Sequence, residues 1–485
     1  MRDAFKTEDW WAVWIGLFVF ALSLVTLAGV DLLGWGIDTR VWTGVATVSE
    51  GLAPVARAEA YAKLPAGTFS PYRAMPGTVS LVLTYVFLLA VLSVGAVAMG
   101  LDLRRFAAGF TVIFWASYLC WLVGSNVYIA ATPNKRPEGV SWSLGLTGEA
   151  GYIVALLAGL IVGNFFPAVT AWLKEATRPE WYIKTAIVIL GGSLGVQAMG
   201  DPRLTQAILF RGFAAIIEAY LIYWALVYFI ARRYFRFSRE WAAPLASGIS
   251  ICGVSAAIAT GAAIRARPVV PIMVSSLVVV FSVVELLVLP FLAQAVLPND
   301  PMVAAAWMGL AVKTDGAAVA SGAITQGLFK GQAEGQWMLM TTTTVKVFID
   351  VFIGVWAFVL ALVWVYGINK KQGERVPVRD IWQRFPKFVI GYFLTFLVLL
   401  GLALLFRGSA DRVGALKAAT AGSNVFRVLF FVMTFFTIGL VSNFKRLWQE
   451  GIGRLALVYV ISLFGFIIWI GLGISWIFFH GMRPS

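Results

Sequence analysis

Uninterrupted apolar stretches of about 20 residues recur along the chain and predict helices that cross a membrane. Examples lie at residues 10–30, 79–99, 269–291 and 455–479. Inside lipid only helices and closed barrels satisfy their backbone polar groups, and barrel strands alternate over about ten residues. The length of the stretches therefore predicts an all-α polytopic membrane protein with about thirteen transmembrane helices.

The predicted spans fall into two groups. Residues 1–144 are expected to contain the first three transmembrane helices, at residues 10–30, 79–99 and 106–131, and a polar loop at 31–78. Residues 145–485 form a ten-helix unit. Its spans are expected at 145–165, 182–200, 204–231, 240–265, 268–291, 303–327, 337–366, 386–406, 425–441 and 453–479.

Composition agrees with a membrane protein and argues against nucleic-acid binding. Hydrophobic residues make up 60% of the chain and charged residues 13%, and the mean hydropathy is +0.84. The formal net charge is +14, but Lys and Arg gather in short loops such as Arg104–Arg105 and Arg232–Arg239. The positive-inside rule explains this distribution if the N-terminus is cytoplasmic.

Few side chains are suited to enzymatic chemistry. His480 is the one histidine, and Cys120 and Cys252 lie in apolar stretches without metal-ligand spacing. The sequence has no Gly-Lys-Ser/Thr phosphate loop. We expect no catalytic residues, no metal and no cofactor, so that any transport is driven by gradients of substrate or ions.

The stretch at residues 245–267 is long enough to cross a bilayer but contains many small residues, with SICGVS at its centre. Glycine at this density weakens a helix, and a helix broken inside the membrane frees N–H groups to face a ligand. The N-terminus of the second half-helix would attract an anion. We expect Ser250, Cys252, Gly253 and Ser255 to bind the substrate. Close helix packing through small residues is the alternative.

A second segment, residues 309–327, has the same small-residue character and contains Lys313, Thr314 and Asp315 in a row. Charges inside an apolar segment are costly and usually functional. We expect Lys313 to compensate the charge of a bound anion, with Thr314 beside it. Asp315 either neutralises Lys313 or takes up a coupling proton. A Lys–Asp pair that only holds a broken helix together is the alternative.

Other charged residues also lie in predicted spans. Lys346 and Asp350 are four residues apart, which favours a self-contained ion pair on one helix face. Glu149, Glu218 and Glu285 are carboxylates that could take up a proton if they are buried. We name Glu218, with Asp315, as a candidate for ion coupling.

Four segments resemble a known family in their order and spacing. They are 157–164 (LAGLIVGN), 187–195 (IVILGGSLG), 247–260 (SGISICGVSAAIAT) and 309–322. The chain resembles the YeiH-like family of uncharacterised bacterial membrane transporters over about residues 145–479. The extent of the resemblance implies that residues 1–144 are an N-terminal extension with three extra transmembrane helices. The family name proposes sulfate export, which implies sulfate or a related sulfur oxyanion as substrate.

The resemblance implies an inverted-repeat transporter with broken crossing helices, similar to sodium/proton antiporters and bile-acid sodium symporters. It implies a protein of the bacterial inner membrane, of the elevator type and often dimeric. The family usually has a His-Glu pair where this chain has Lys313 and Thr314, followed by Asp315. Because a permanent cation replaces a titratable ring, the substrate or its coupling is expected to differ from the family norm.

These observations predict a secondary active transporter, either an exporter or an exchanger, of a small anion such as sulfate, sulfite or an organosulfonate. The expected partners are the anion, the lipid bilayer, H⁺ or Na⁺ as coupling ion, and a second copy of the chain in a homodimer. A cation/proton antiporter or a sodium-coupled organic-anion symporter is one alternative, although Asp315 is the one carboxylate at the predicted breaks. A non-transporting membrane scaffold is another.

Overall fold

A computed structural model describes residues 6–65, 67–131, 139–144, 150–329, 334–368, 379–443 and 453–484. Its regular structure is almost entirely helical, as the apolar stretches predict. Two short strands, β1 (Ile37–Thr39) and β2 (Leu52–Pro54), pair antiparallel with Ile37 opposite Pro54.

The α-helices are numbered in chain order. The first eleven are α1 (Glu8–Leu24), α2 (Gly77–Ala98), α3 (Leu103–Gly124), α4 (Val127–Ala130), α5 (Ala150–Phe165), α6 (Pro167–Leu173), α7 (Pro179–Ala198), α8 (Pro202–Gly212), α9 (Ala214–Ile217), α10 (Trp224–Arg233) and α11 (Arg239–Ser250). The others are α12 (Gly253–Ala263), α13 (Val269–Val296), α14 (Pro301–Ala311), α15 (Asp315–Leu328), α16 (Met338–Val351), α17 (Ile353–Leu362), α18 (Arg379–Arg384), α19 (Phe388–Leu405), α20 (Ala410–Val441), α21 (Gly453–Ser462) and α22 (Ile468–Phe479).

Every predicted span contains helix, which confirms an all-α polytopic membrane protein. Within the described part of the chain, nine helices are long and apolar enough to cross a membrane, or up to ten if the bent pair α5 and α6 is one span. The number is lower than the expected count of about thirteen partly because two stretches are divided into short helices. The span expected at 425–441 belongs to a longer helix that begins at Ala410. The inverted repeat stays a prediction.

The helices form two compact units. The first comprises Met1–Pro202 and Lys387–Val441, and the second comprises Arg203–Pro386 and Ser442–Ser485. Helices α3 and α5, from the two sides of the boundary expected at residue 144, pack together in the first unit. That boundary follows the family resemblance and stays a prediction.

Close backbone contacts between continuous helices characterise the first unit. Helix α20 packs along α5 and α7, and α7 also packs along α1 and α19. A Cβ on Gly163 would lie 2.6 Å from the carbonyl oxygen of Leu440, and a Cβ on Gly439 would lie 2.5 Å from that of Leu156. Glycine therefore permits backbones to approach here without interrupting a helix.

The polar loop expected between the first two spans folds around a buried aspartate of the first unit. Asp31 accepts hydrogen bonds from the amides of Leu33 (3.1 Å) and Gly34 (2.8 Å) and from the hydroxyl of Ser70 (2.6 Å). Strands β1 and β2 belong to the same loop. Several donors therefore satisfy the oxygens of this buried carboxyl group.

Two pairs of short helices, α11 with α12 and α14 with α15, form the centre of the second unit. Every residue of α14 is buried, because α14 packs against α15, α16 and α22. Trp307 of α14 donates its indole N–H to the carbonyl of Ile468 at 2.8 Å. Helix α13 lies beside α12 and α15. The two predicted interruptions are thereby held at the middle of this unit.

Candidate functional site

The first break separates α11 from α12 at the sequence SICGVS. Helix α11 ends at Ser250 and α12 begins at Gly253. Ile251 leaves the helical region (φ −108°, ψ −84°), and Cys252 is extended (φ −141°, ψ 123°). The interruption predicted from the small residues is confirmed. It leaves a helix C-terminus and a helix N-terminus next to each other inside the unit.

The second break separates α14 from α15. Helix α14 ends at Ala311, and Val312 is extended (φ −82°, ψ 128°). Thr314 is the N-cap of α15, and its hydroxyl accepts a hydrogen bond from the amide of Ala317 at 3.3 Å. Asp315 is the first residue of α15. The second predicted interruption is therefore confirmed as well, and Thr314 within it caps the helix that follows.

The two breaks are in direct contact. The amide of Gly253 donates a hydrogen bond to the carbonyl oxygen of Lys313 at 2.7 Å. A Cβ on Gly253 would lie 3.0 Å from Cγ2 of Thr314 and would also press on Val278. A larger residue would force Val278 or Thr314 to move, so glycine permits the close approach of the two breaks. The observed contact is the crossing of broken helices that the family resemblance implies.

A lysine binds the carbonyl end of each first half-helix. Nζ of Lys346, from α16, donates to the carbonyl of Ile251 at 2.7 Å. Nζ of Lys313 donates to the carbonyl of Leu310. Carbonyl groups at a helix C-terminus have no partner within the helix, and a cation there is favoured by the helix dipole. The two lysines therefore stabilise the two interruptions.

We use the name aspartate cluster for Cys252, Asp315, Lys346 and Asp350. One ligand atom from each of Cys252, Asp315 and Asp350 lies within 4.8 Å of the other two. Nζ of Lys346 lies 3.6 Å from Oδ1 of Asp315. All four side chains are buried. The arrangement gives two carboxyl groups one ammonium group to share.

The aspartate cluster also has the ligand types that a borderline divalent cation accepts, namely a thiol and two carboxylates. The ammonium of Lys346 lies beside the same carboxylates, so a metal ion would compete with it. Cys120, the other cysteine, is in the first unit. The expected absence of a metal stays a prediction.

We use the name glutamate cluster for Glu218, Tyr223, Glu285, Lys313 and Tyr459. Glu285 accepts hydrogen bonds from the hydroxyl of Tyr459 at 2.5 Å and from the amide of Lys313 at 2.9 Å. The ammonium of Lys313 lies 4.6 Å from the ring centre of Tyr223. Glu218 and Tyr223 are the two ends of a π-helical turn between α9 and α10, a feature often found at functional sites.

The structure brings together most of the residues that the sequence nominates for substrate binding. Cys252, Gly253, Lys313 and Thr314 lie at the crossing, and Asp315 is beside them. Ser250 is buried in the last turn of α11, whereas Ser255 is partly exposed in the first turn of α12. Glu218 lies next to Tyr223 in the glutamate cluster rather than at the crossing. Glu149 is outside the described residues.

Sequence reasoning missed three members of the site. Lys346 and Asp350 were interpreted as a self-contained ion pair, but Lys346 reaches Ile251 and Asp315 instead of serving Asp350 alone. Glu285 stands alone in its predicted span, yet its carboxyl group accepts a hydrogen bond from the backbone amide of Lys313 at the second break. A charge inside an apolar span was the available signal for each of them. The identity of the partner depends on tertiary contacts that spacing does not reveal.

Comparisons with known proteins identify relatives along the whole chain. A family model described as "Conserved hypothetical protein 698" matches residues 142–458. A UPF0324 membrane protein of Nitrosomonas europaea is 42% identical over 99% of this chain and 97% of its own length. A UPF0324 membrane protein of Rhodopirellula baltica is 28% identical over 93% of this chain and 85% of its own length. No solved structure matches the chain.

Proposed function

Because the chain belongs to the UPF0324 family of membrane proteins, we propose that it is a secondary active transporter of a small anion. The observation that supports this most is the hydrogen bond from Gly253 to Lys313, which joins two interrupted helices inside a membrane protein. Transporters commonly form substrate and ion sites from discontinuous helices of this kind. A scaffold would have no need of charged groups buried at such a crossing.

In this proposal the anion lies at the start of α12. The first turn of that helix offers backbone N–H groups and the positive end of the helix dipole. Ser255 adds a hydroxyl in the same turn, and Ser250, Cys252 and Thr314 complete the surroundings. Lys313 supplies positive charge from its position beside Leu310, where one carbonyl occupies one of its three N–H donors. Sulfate, sulfite and organosulfonates fit this chemistry.

Ion coupling in this proposal uses Asp315 of the aspartate cluster and Glu218 of the glutamate cluster. Export or exchange then follows an elevator-type cycle in a homodimer of the bacterial inner membrane, with the N-terminus in the cytoplasm. The proposed transport cycle uses no cofactor, and the proposed partners include no nucleic acid.

A cation/proton antiporter is a second candidate, and one observation favours it. The sequence placed one carboxylate at the breaks, whereas the structure places Asp350 and Glu285 there as well as Asp315. Buried carboxylates are the groups that such an exchange requires. The two functions differ in what crosses the membrane, so a flux measurement separates them.

The test uses the full-length protein in proteoliposomes, with radiolabelled sulfate, sulfite and taurine as probes. We expect uptake of at least one anion, and an increase of about five- to tenfold in its KM for Ser255→Ala, since one hydrogen bond is lost. The matched control is Ser276→Ala, because among the described residues the Ser276 hydroxyl bonds only within its own helix, to the carbonyl of Ile272. Sodium-driven proton flux without uptake of any probe would establish the antiporter instead.

A further inference from the structure

The buried charges of the second unit do not balance. Among its described residues, six charged side chains are buried, each at most 2% exposed. They are the carboxyl groups of Glu218, Glu285, Asp315 and Asp350 and the ammonium groups of Lys313 and Lys346. If all were ionised, four negative charges would face two positive charges. An uncompensated ion is very costly in such surroundings, so positive charge must be supplied from elsewhere.

The deficit is divided equally between the two clusters. The aspartate cluster has two carboxyl groups and the ammonium of Lys346. The glutamate cluster has two carboxyl groups and the ammonium of Lys313. Each cluster therefore lacks one positive charge.

We propose that each cluster holds one exchangeable proton, on Glu218 in the glutamate cluster and on Asp350 in the aspartate cluster, and that both protons accompany the transported anion. The second half of this inference rests on the proposed function, whereas the two proton sites do not. A divalent oxyanion that moves with two protons crosses the membrane without net charge.

In the glutamate cluster, hydrogen bonding distinguishes the two carboxyl groups. Glu285 accepts from the Tyr459 hydroxyl and from the Lys313 amide, and two donors stabilise a carboxylate. Neither carboxyl oxygen of Glu218 has a hydrogen-bond partner among the described residues, although the side chain is 1% exposed. A buried carboxyl group without donors is far more stable when it is protonated.

The hydroxyl of Tyr223 supports the same assignment. It lies beside Glu218, because both groups approach within 4 Å of the point where a Cβ on Gly471 would be. Its single proton is donated to the carbonyl of Ile467 at 3.1 Å. Because this proton is already donated, the Tyr223 hydroxyl does not stabilise an ionised Glu218.

In the aspartate cluster, position on the helix distinguishes the two carboxyl groups. Asp315 is the first residue of α15, where the helix dipole favours a negative charge, and it lies 3.6 Å from Nζ of Lys346. Asp350 lies within a helical stretch that continues from α16 into α17, so its charge gains no such stabilisation from a helix N-terminus. The titratable groups that surround Lys346 are the carboxyl groups of Asp350, Asp315 and Glu285 and the thiol of Cys252. The proton is therefore most stable on Asp350.

The experiment is infrared difference spectroscopy of the purified full-length protein in detergent, without substrate, in H₂O and D₂O as the pH is raised. The C=O band of a protonated carboxyl group lies at a higher frequency than the bands of carboxylates, and it shifts in D₂O. We expect two buried bands at neutral pH. Glu218→Gln removes one and Asp350→Asn removes the other, whereas the charge-conserving variants Glu285→Asp and Asp315→Glu keep both bands at unchanged frequency.

Fewer than two bands, or retention of both bands in Glu218→Gln or Asp350→Asn, overturns the inference. If either variant fails to fold, Glu218→Asp or Asp350→Glu shifts the frequency of the same band and identifies it. In proteoliposomes, a pH dye and radiolabelled sulfate should report two protons per sulfate for the native protein and one for each variant. Two bands without anion uptake would contradict only the proposed function, whereas uptake without bands would contradict only the proton sites.

Discussion

Each break leaves free carbonyl groups at one helix end and free N–H groups at the next helix start, and the two breaks differ in which side chains bind these groups. At the second break, the lysine that binds the free carbonyl and the threonine that caps the next helix both come from the break itself, as Lys313 and Thr314. At the first break, the carbonyl of Ile251 is bound by Lys346 of another helix, and Cys252 makes no capping bond through its side chain. The second break is locally encoded, whereas the first depends on tertiary packing.

The largest expected effect is the loss of the distant lysine. Lys346→Met removes the ammonium from Asp315 and from the carbonyl of Ile251, so a buried charge loses its partner. We expect the free energy of unfolding to fall by about 3–5 kcal/mol. Denaturant unfolding in detergent measures this change.

A double variant provides the control for that prediction. Asp315→Asn in the Lys346→Met background removes the charge left without a partner, so part of the lost stability should return. If the double variant is no more stable than the single one, Lys346 does not act through Asp315.

A smaller effect is expected from forcing the breaks apart. Gly253→Ala places a methyl group against Thr314 and Val278, which overpacks the crossing and should cost about 1–3 kcal/mol. Gly473→Ala in α22 is the matched control, because a Cβ there meets nothing within 4 Å. Thermal unfolding of both variants should lower Tm only for Gly253→Ala. Equal values would show that the crossing tolerates separation.

Much of this arrangement was predictable from the sequence, and the remainder illustrates a limit. Small residues located the first break and the charged triplet located the second. Glycine density alone was insufficient, since α7 contains GGSLG and is continuous. Gly191 and Gly195 of α7 face the backbone of α19, whereas Gly253 contacts Val278 and, at the second break, Thr314. Lys346 and Glu285 join the site through contacts between helices that are distant in sequence, which residue spacing does not encode.

The smallest expected effect concerns the caps. Thr314→Val removes the hydroxyl that caps α15 and should cost about 1 kcal/mol. Cys252→Ser offers α12 a capping oxygen that it lacks, so stability should stay the same or rise by up to about 1 kcal/mol. Chemical denaturation of the two variants measures both changes. A loss of stability in Cys252→Ser comparable to that in Thr314→Val would mean that the thiol is needed at the first break for another reason.

The bond between Gly253 and Lys313 also constrains the order of biogenesis. The amide belongs to a segment that leaves the ribosome before α13 and α14, and its acceptor emerges only after both. During insertion the amide of Gly253 therefore has no access to its acceptor until Lys313 has been synthesised. A chain truncated after α13 should be retained by the membrane-insertion machinery or degraded, because an exposed amide is poorly tolerated in hydrocarbon.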